Sequence, residues 1–83
     1  MRTYNYNKLK GLIREHYGTY ENFCKNVGLG TTTLYTRLNN QTYFDQIEME
    51  KIIKSFKIDD YDKIMEIFFT FNNGNPKDMT NDQ

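Results

Sequence analysis

Apolar side chains recur along this chain at helical rather than alternating spacing, in five short blocks separated by glycine, asparagine or aspartate. Tyr6, Leu9, Leu12, Ile13 and Tyr17 predict a first helix over about residues 5–17. Asn5 is its expected N-cap, Tyr4 and Leu9 its flanking staple, and Gly18 its stop. Phe23, Cys24 and Val27 predict a second helix over 20–27, capped by Thr19, with Glu21 in its first turn and Gly28 at its end. The third, over 31–39, has Gly30 in the N-cap slot and only Leu34 and Leu38 clearly inward. The fourth, over 46–56, opens with an acidic capping box from Asp45 to Glu48 and a Phe44–Met49 staple, and buries Met49, Ile52, Ile53 and Phe56. A fifth, over 61–69, follows Asp59, Asp60 and Asp62, with Tyr61, Ile64, Met65 and Phe68 as its expected inner face.

The expectation is an all-α, five-helix domain over residues 1–71. Residues 72–83 contain one apolar residue, Met79, and are expected to form a disordered C-terminal tail. Eighty-three residues leave room for a single small core and no large interdomain cleft.

Composition narrows the function classes. The net charge is zero, but residues 1–57 hold nine basic against five acidic side chains, and residues 58–83 hold two against six. A basic body with an acidic end hints at a polyanionic partner for the first part, against chance surface charge. The single cysteine, Cys24, excludes an internal disulfide, and the single histidine, His16, excludes two-histidine metal sites. Cys24 reads as a small buried filler, His16 as a helix-end residue that suits the dipole, and the aspartates near 59–62 as caps rather than metal ligands. No nucleophile–base or acid pair stands at useful spacing, so the chain does not read as an enzyme, and no cofactor is expected. No apolar run is long enough for a membrane span and no signal peptide follows Arg2, so a cytoplasmic protein is expected. The absence of alanine, with ten asparagines and seven tyrosines, fits the codon bias of an AT-rich genome.

The third helix is unusual on propensity. Four of its residues are threonine, a poor helix former, and its outer face is polar. Such a violation often marks a working surface. Two short helices joined by Gly28-Leu29-Gly30 also have the sequence form of a helix-turn-helix. Cys24 falls where the two helices must approach closely, Gly28 makes the turn, Leu29 and Leu34 plug the corner, and Leu38 ties the third helix to the core.

The stretch TYENFCKNVGLGTTTLYTRLNN resembles the lambda-repressor-like helix-turn-helix family, and more narrowly the small Cro-like phage regulators of Gram-positive bacteria. The residues that carry the resemblance are Lys8-Leu9-Lys10-Gly11, Tyr17-Gly18-Thr19, Phe23-Cys24, Gly28, Thr33-Leu34 and Leu38-Asn39, with Phe44-Asp45, Glu48-Met49-Glu50 and Phe68-Phe69-Thr70 further on. The likeness covers about residues 4–71. The chain departs from the pattern at Cys24, where alanine is usual, at Gly30, where serine caps, and at Asn40, where glycine is common.

The resemblance implies a lambda-repressor-like, sequence-specific DNA-binding regulator whose third helix enters the major groove of an operator. It places Thr31, Thr32 and Thr36 at base-reading positions, with Tyr35 and Arg37 as further base or phosphate contacts. Tyr20, Thr33, Asn39, Asn40, Gln41 and Thr42 match backbone-contact positions, where asparagine and backbone amides hold phosphates without charge. Few lysines lie near this face, so a shallow salt dependence is expected. Phe68, Phe69 and Phe71 are more aromatics than one helix end can bury, and they are the expected homodimer contact on an inverted-repeat operator. No small-molecule ligand is implied. A second reading is that the same fold binds protein, as an antirepressor or inhibitor.

Overall fold

The computed structural model describes residues 3–72, and these form five helices: α1 (Asn7–Tyr17), α2 (Tyr20–Val27), α3 (Thr31–Leu38), α4 (Gln46–Phe56) and α5 (Tyr61–Phe68). No strand is present among the described residues, only an isolated antiparallel bridge from Tyr4 to Phe71. The all-α expectation holds.

Local chemistry sets most boundaries. Thr19 accepts from the Asn22 N–H at 3.1 Å and starts α2. Gly28 ends α2 at φ 85°, ψ 36°, a left-handed conformation that glycine adopts without a Cβ penalty. Asp45 and Glu48 form the full reciprocal capping box that starts α4. Asp60, of the three aspartates expected there, caps α5 by accepting from Asp62 N–H.

Three ends differ from expectation. α1 begins at Asn7, with Tyr6 as N-cap, because Asn5 accepts from the Asn7 N–H in a local turn instead of entering the helix. α3 and α5 each end one residue early, at Leu38 and Phe68.

α2 packs against α1, α3 and α4, and α1 also packs against α5. The buried cluster draws on all five helices, among them Leu9, Ile13, Phe23, Leu34, Ile52, Ile67 and Phe68. Each fully buried Leu, Ile or Phe contributes about 1.5–3 kcal/mol relative to exposure. Phe23 and Phe56 stack with centroids 5.6 Å apart, joining α2 to α4.

The inner face of α5 is a correction. Tyr61 is 71% exposed and Met65 40% exposed, whereas Ile67 is fully buried beside Phe68. Ile64, Ile67 and Phe68 face the core, and the helix is rotated relative to the expected stripe.

The two ends of the described segment close on each other. Asn5 N–H donates to Thr70 carbonyl at 2.7 Å, and Asn72 N–H donates to Thr3 carbonyl at 3.1 Å. Asn72, expected in the tail, is thus paired to the domain. The remainder of the expected tail, residues 73–83, lies outside the described residues.

Candidate nucleic-acid interface

α3 is anchored on one side only. Leu34 is fully buried and Leu38 nearly so, one turn apart. Cys24 is also buried, and its Sγ lies 3.9 Å from the Gly30 carbonyl at the turn. This small side chain lets α2 and α3 meet closely. Burial pushes the Cys24 thiol up, against a lowering hydrogen bond to Thr31, which suits a filler and not a nucleophile.

Opposite the anchor, Thr32, Tyr35 and Asn39 are exposed at helical spacing, with Thr31 and Thr36 half-buried at the margins. Gly30 provides no side-chain cap, so nothing from the N-cap residue covers the first-turn N–H groups of α3. Thr36 Oγ1 donates back to the Thr33 carbonyl at 2.8 Å, which absorbs its proton within the helix. The same oxygen accepts from Arg37 Nη1 at 3.2 Å, and the half-buried Thr33 lies at the margin of the face.

Two residues expected on this interface are committed elsewhere. Arg37 turns along the protein to Glu48, with Nη2–Oε2 at 3.0 Å and Nε–Oε1 at 3.1 Å. Its Nη1 also donates to Thr42 Oγ1 at 2.6 Å. In this structure Arg37 is therefore a strut between α3 and α4, with its guanidinium engaged by Glu48 and Thr42. Asn40 turns inward at φ 63°, where its Oδ1 accepts from Tyr4 N–H at 2.7 Å and its Nδ2 donates to Tyr4 carbonyl at 3.0 Å. Both ends of its amide are thus engaged by Tyr4 of the N-terminal segment.

The backbone amides after α3 are occupied as well. Asn39, Asn40, Gln41 and Thr42 N–H groups all donate to carbonyls of residues 35–37. The expectation that these amides hold phosphates is corrected. What this loop presents outward is the side chains of Asn39, Gln41 and Thr42, all exposed.

Beside α3 lies a stack absent from the expectation. Tyr20, half-buried at the start of α2, meets Tyr35 edge-on with centroids 5.6 Å apart. The guanidinium of Arg14, from α1, lies 5.4 Å over the Tyr20 ring. Desolvation first, then the nearby Glu21 carboxylate, pushes the Tyr35 phenol up, so it remains a neutral hydroxyl. In the sequence Arg14 is one of nine basic residues of the first 57, six residues away from Tyr20, and no local pattern joins the two.

The three aromatics expected at a dimer contact separate. Phe68 is only 2% exposed, buried in the core against Phe44, and is removed from that set. Phe69 is half-buried, edge-on to Tyr4 at 5.9 Å. Phe71 is 49% exposed.

Among the described residues, no group of three or more His, Cys, Asp or Glu side chains could hold a metal ion. No helix among them is long and apolar enough to cross a membrane.

Fold and surface thus define a small all-α domain that holds one polar helix face clear of its core. The chain belongs to the family described as protein of unknown function (DUF739), which matches residues 2–71. No curated protein matches it.

Proposed function

We propose that this protein is a sequence-specific duplex-DNA-binding regulator of the Cro-like repressor kind, acting in the cytoplasm through a helix-turn-helix formed by α2, the Gly28-Leu29-Gly30 turn and α3. The carrying observation is the division of α3 into a buried Leu34–Leu38 edge and an exposed Thr32–Tyr35–Asn39 face. A helix held this way can enter the major groove, which admits an α-helix about 12 Å across. Thr32 offers a hydroxyl to a base edge and a methyl to thymine. Tyr35 and Asn39 add a hydroxyl and an amide, and Thr31 and Thr36 flank them. Two copies would read an inverted repeat, meeting through Phe71 and the outer edge of Phe69.

The test is selection of sites from a random duplex pool at moderate salt, with Thr32→Ala alongside. Thr32 is preferable to Thr36 because its removal disturbs no bond within the helix. An enriched inverted repeat, with preference relaxed at one position per half-site in the variant, is the expected result. The loss at that position should be about 1 kcal/mol, the low end for a base contact. An absence of enrichment even at low salt would overturn the reading.

One observation favours the alternative of a protein-binding antirepressor or inhibitor. Glu48 neutralises Arg37, the only charged residue of α3, so the outer face carries no formal charge.

A further inference from the structure

We propose that Arg14, on α1, is a backbone-phosphate contact that flanks the groove-facing helix, with the Tyr20 ring as its platform. This inference rests on the DNA-binding reading and adds to it a residue and a ligand class, the phosphodiester.

Three observations carry it. First, the guanidinium is held in place. It lies 5.4 Å over the Tyr20 ring, and Tyr20 is itself wedged by its 5.6 Å contact with Tyr35. A guanidinium over a ring face keeps its N–H edge free to donate in the ring plane direction, so the platform orients Arg14 without consuming its donors.

Second, its charge is not cancelled by an ion pair. The ion pairs among the described residues join Lys8 to Glu66, Arg37 to Glu48 and Lys63 to Glu66, and Arg14 enters none of them. Arg14 is exposed, whereas the arginine of α3 itself is spent. Glu15 and Glu21 are exposed carboxylates near it in sequence, and neither closes a salt bridge on it.

Third, the spacing suits a duplex. The two ring steps from Arg14 to Tyr35 together span less than the roughly 12 Å width of the major groove. With Tyr35 at the groove floor or wall, a cation at that offset reaches the phosphate row bordering the groove. Arginine donates to a phosphate in a two-pronged geometry that a lysine point charge does not reproduce.

The experiment measures affinity for the selected site against salt concentration, for wild type, Arg14→Gln, Arg14→Lys and Thr32→Ala. Each phosphate neutralised contributes about 0.9 to the slope of log affinity against log salt. Arg14→Gln should lower the slope by about that amount, so its deficit against wild type narrows about threefold between 50 and 200 mM salt. Its preferred sequence should not change, and Arg14→Lys should restore the slope. Arg14 is exposed, so thermal unfolding should be unaltered, which separates a lost contact from a lost fold.

Two results overturn the proposal alone. One is an unchanged slope and affinity in Arg14→Gln while Thr32→Ala still relaxes sequence preference. The other is a weaker Arg14→Gln with an unchanged slope, which would mean that Arg14 acts by packing Tyr20. If wild type binds no duplex, the DNA-binding reading and this inference fall together.

Discussion

Arg37 and Glu48 face each other across the connection between α3 and α4 as a two-pronged ion pair, and the same Glu48 carboxylate accepts the Asp45 N–H at 3.0 Å that starts α4. One carboxylate thus fastens the candidate reading helix and nucleates the next one. The pair is only 20% and 12% exposed, and Arg37 also reaches Thr42 and Thr36, so it should outweigh an ordinary surface ion pair. Arg37→Gln is expected to cost about 2 kcal/mol, because Glu48 loses a charged partner at low exposure. For a domain of this size that is a fall in melting temperature of roughly 10 °C. Glu48→Ala should cost about 1 kcal/mol more, since the capping box goes with it. Below its melting range, Arg37→Gln should retain the sequence preference of wild type. A relaxed preference would mean that Arg37 leaves Glu48 to read a base.

Asn40 makes a different kind of fastening, from the end of α3 to the N-terminal segment 36 residues earlier. Its two hydrogen bonds to Tyr4 need the left-handed backbone at φ 63°. Asn40→Gly keeps that backbone and loses both bonds, for an expected cost of about 1–2 kcal/mol. Asn40→Ala loses the bonds and adds the Cβ strain of the left-handed region, about 1 kcal/mol more. Urea unfolding should rank wild type above the glycine variant and that above the alanine variant. Equal stability of the two variants would show that the backbone conformation carries no cost.

These two fastenings also show what can be read from the chain and what cannot. α2 and α4 have the boundaries expected of them because Thr19, Gly28, Asp45 and Glu48 act on groups no more than four residues away. The Leu34–Leu38 edge of α3 was equally legible, since two leucines four apart on a polar helix leave one face to bury. The partners of Arg37 and Asn40 lie 11 and 36 residues off, and no local pattern points to them. The resemblance makes Arg37 a base or phosphate contact, and nothing local in the sequence marks the ion pair that engages it. The face of α5 was legible only in part, for a related reason. Ile64 and Phe68 lie inward as expected, but Ile67 takes the core place expected of Tyr61 and Met65, and packing against α1 selects that rotation. Arg14 became interpretable only once three helices had placed Tyr20 between it and Tyr35.

A homodimer on an inverted repeat makes separate demands on the late phenylalanines. Phe68→Ala should cost about 3–5 kcal/mol, as expected for emptying a core ring site, and says nothing about association. Phe71→Ser should cost only about 1 kcal/mol, from its contact with Tyr4 at 5.5 Å. Sedimentation at micromolar concentration should then show a dimer for wild type and a monomer for Phe71→Ser, each with and without DNA. A wild-type monomer under both conditions would remove the dimer from the proposed mechanism.

The alkaline limit of stability should be set in part by Tyr6. Its ring is 4% exposed, beneath Tyr4 and edge-on to Phe44. Burial, then the neighbouring Tyr4 and Tyr43 phenols, pushes its phenol up from 10.0 to about 12. In the unfolded chain the same group titrates near 10. Between those two values the unfolded chain has released a proton that the folded chain retains, so stability falls as pH rises. The contribution is fully present below about pH 10 and is lost as pH climbs through about 12, with a magnitude on the order of 2 kcal/mol. Tyr6→Phe has no proton to lose at this site. Its urea midpoint should therefore decline less than that of wild type between pH 9 and pH 11.5, after both are normalised to pH 8. The two proteins differ only in the Tyr6 hydroxyl, so the difference between their declines reports that group. Parallel declines would mean that the Tyr6 phenol ionises as readily in the folded domain as in the unfolded chain, and that the aromatic cluster around it opens to water before it titrates.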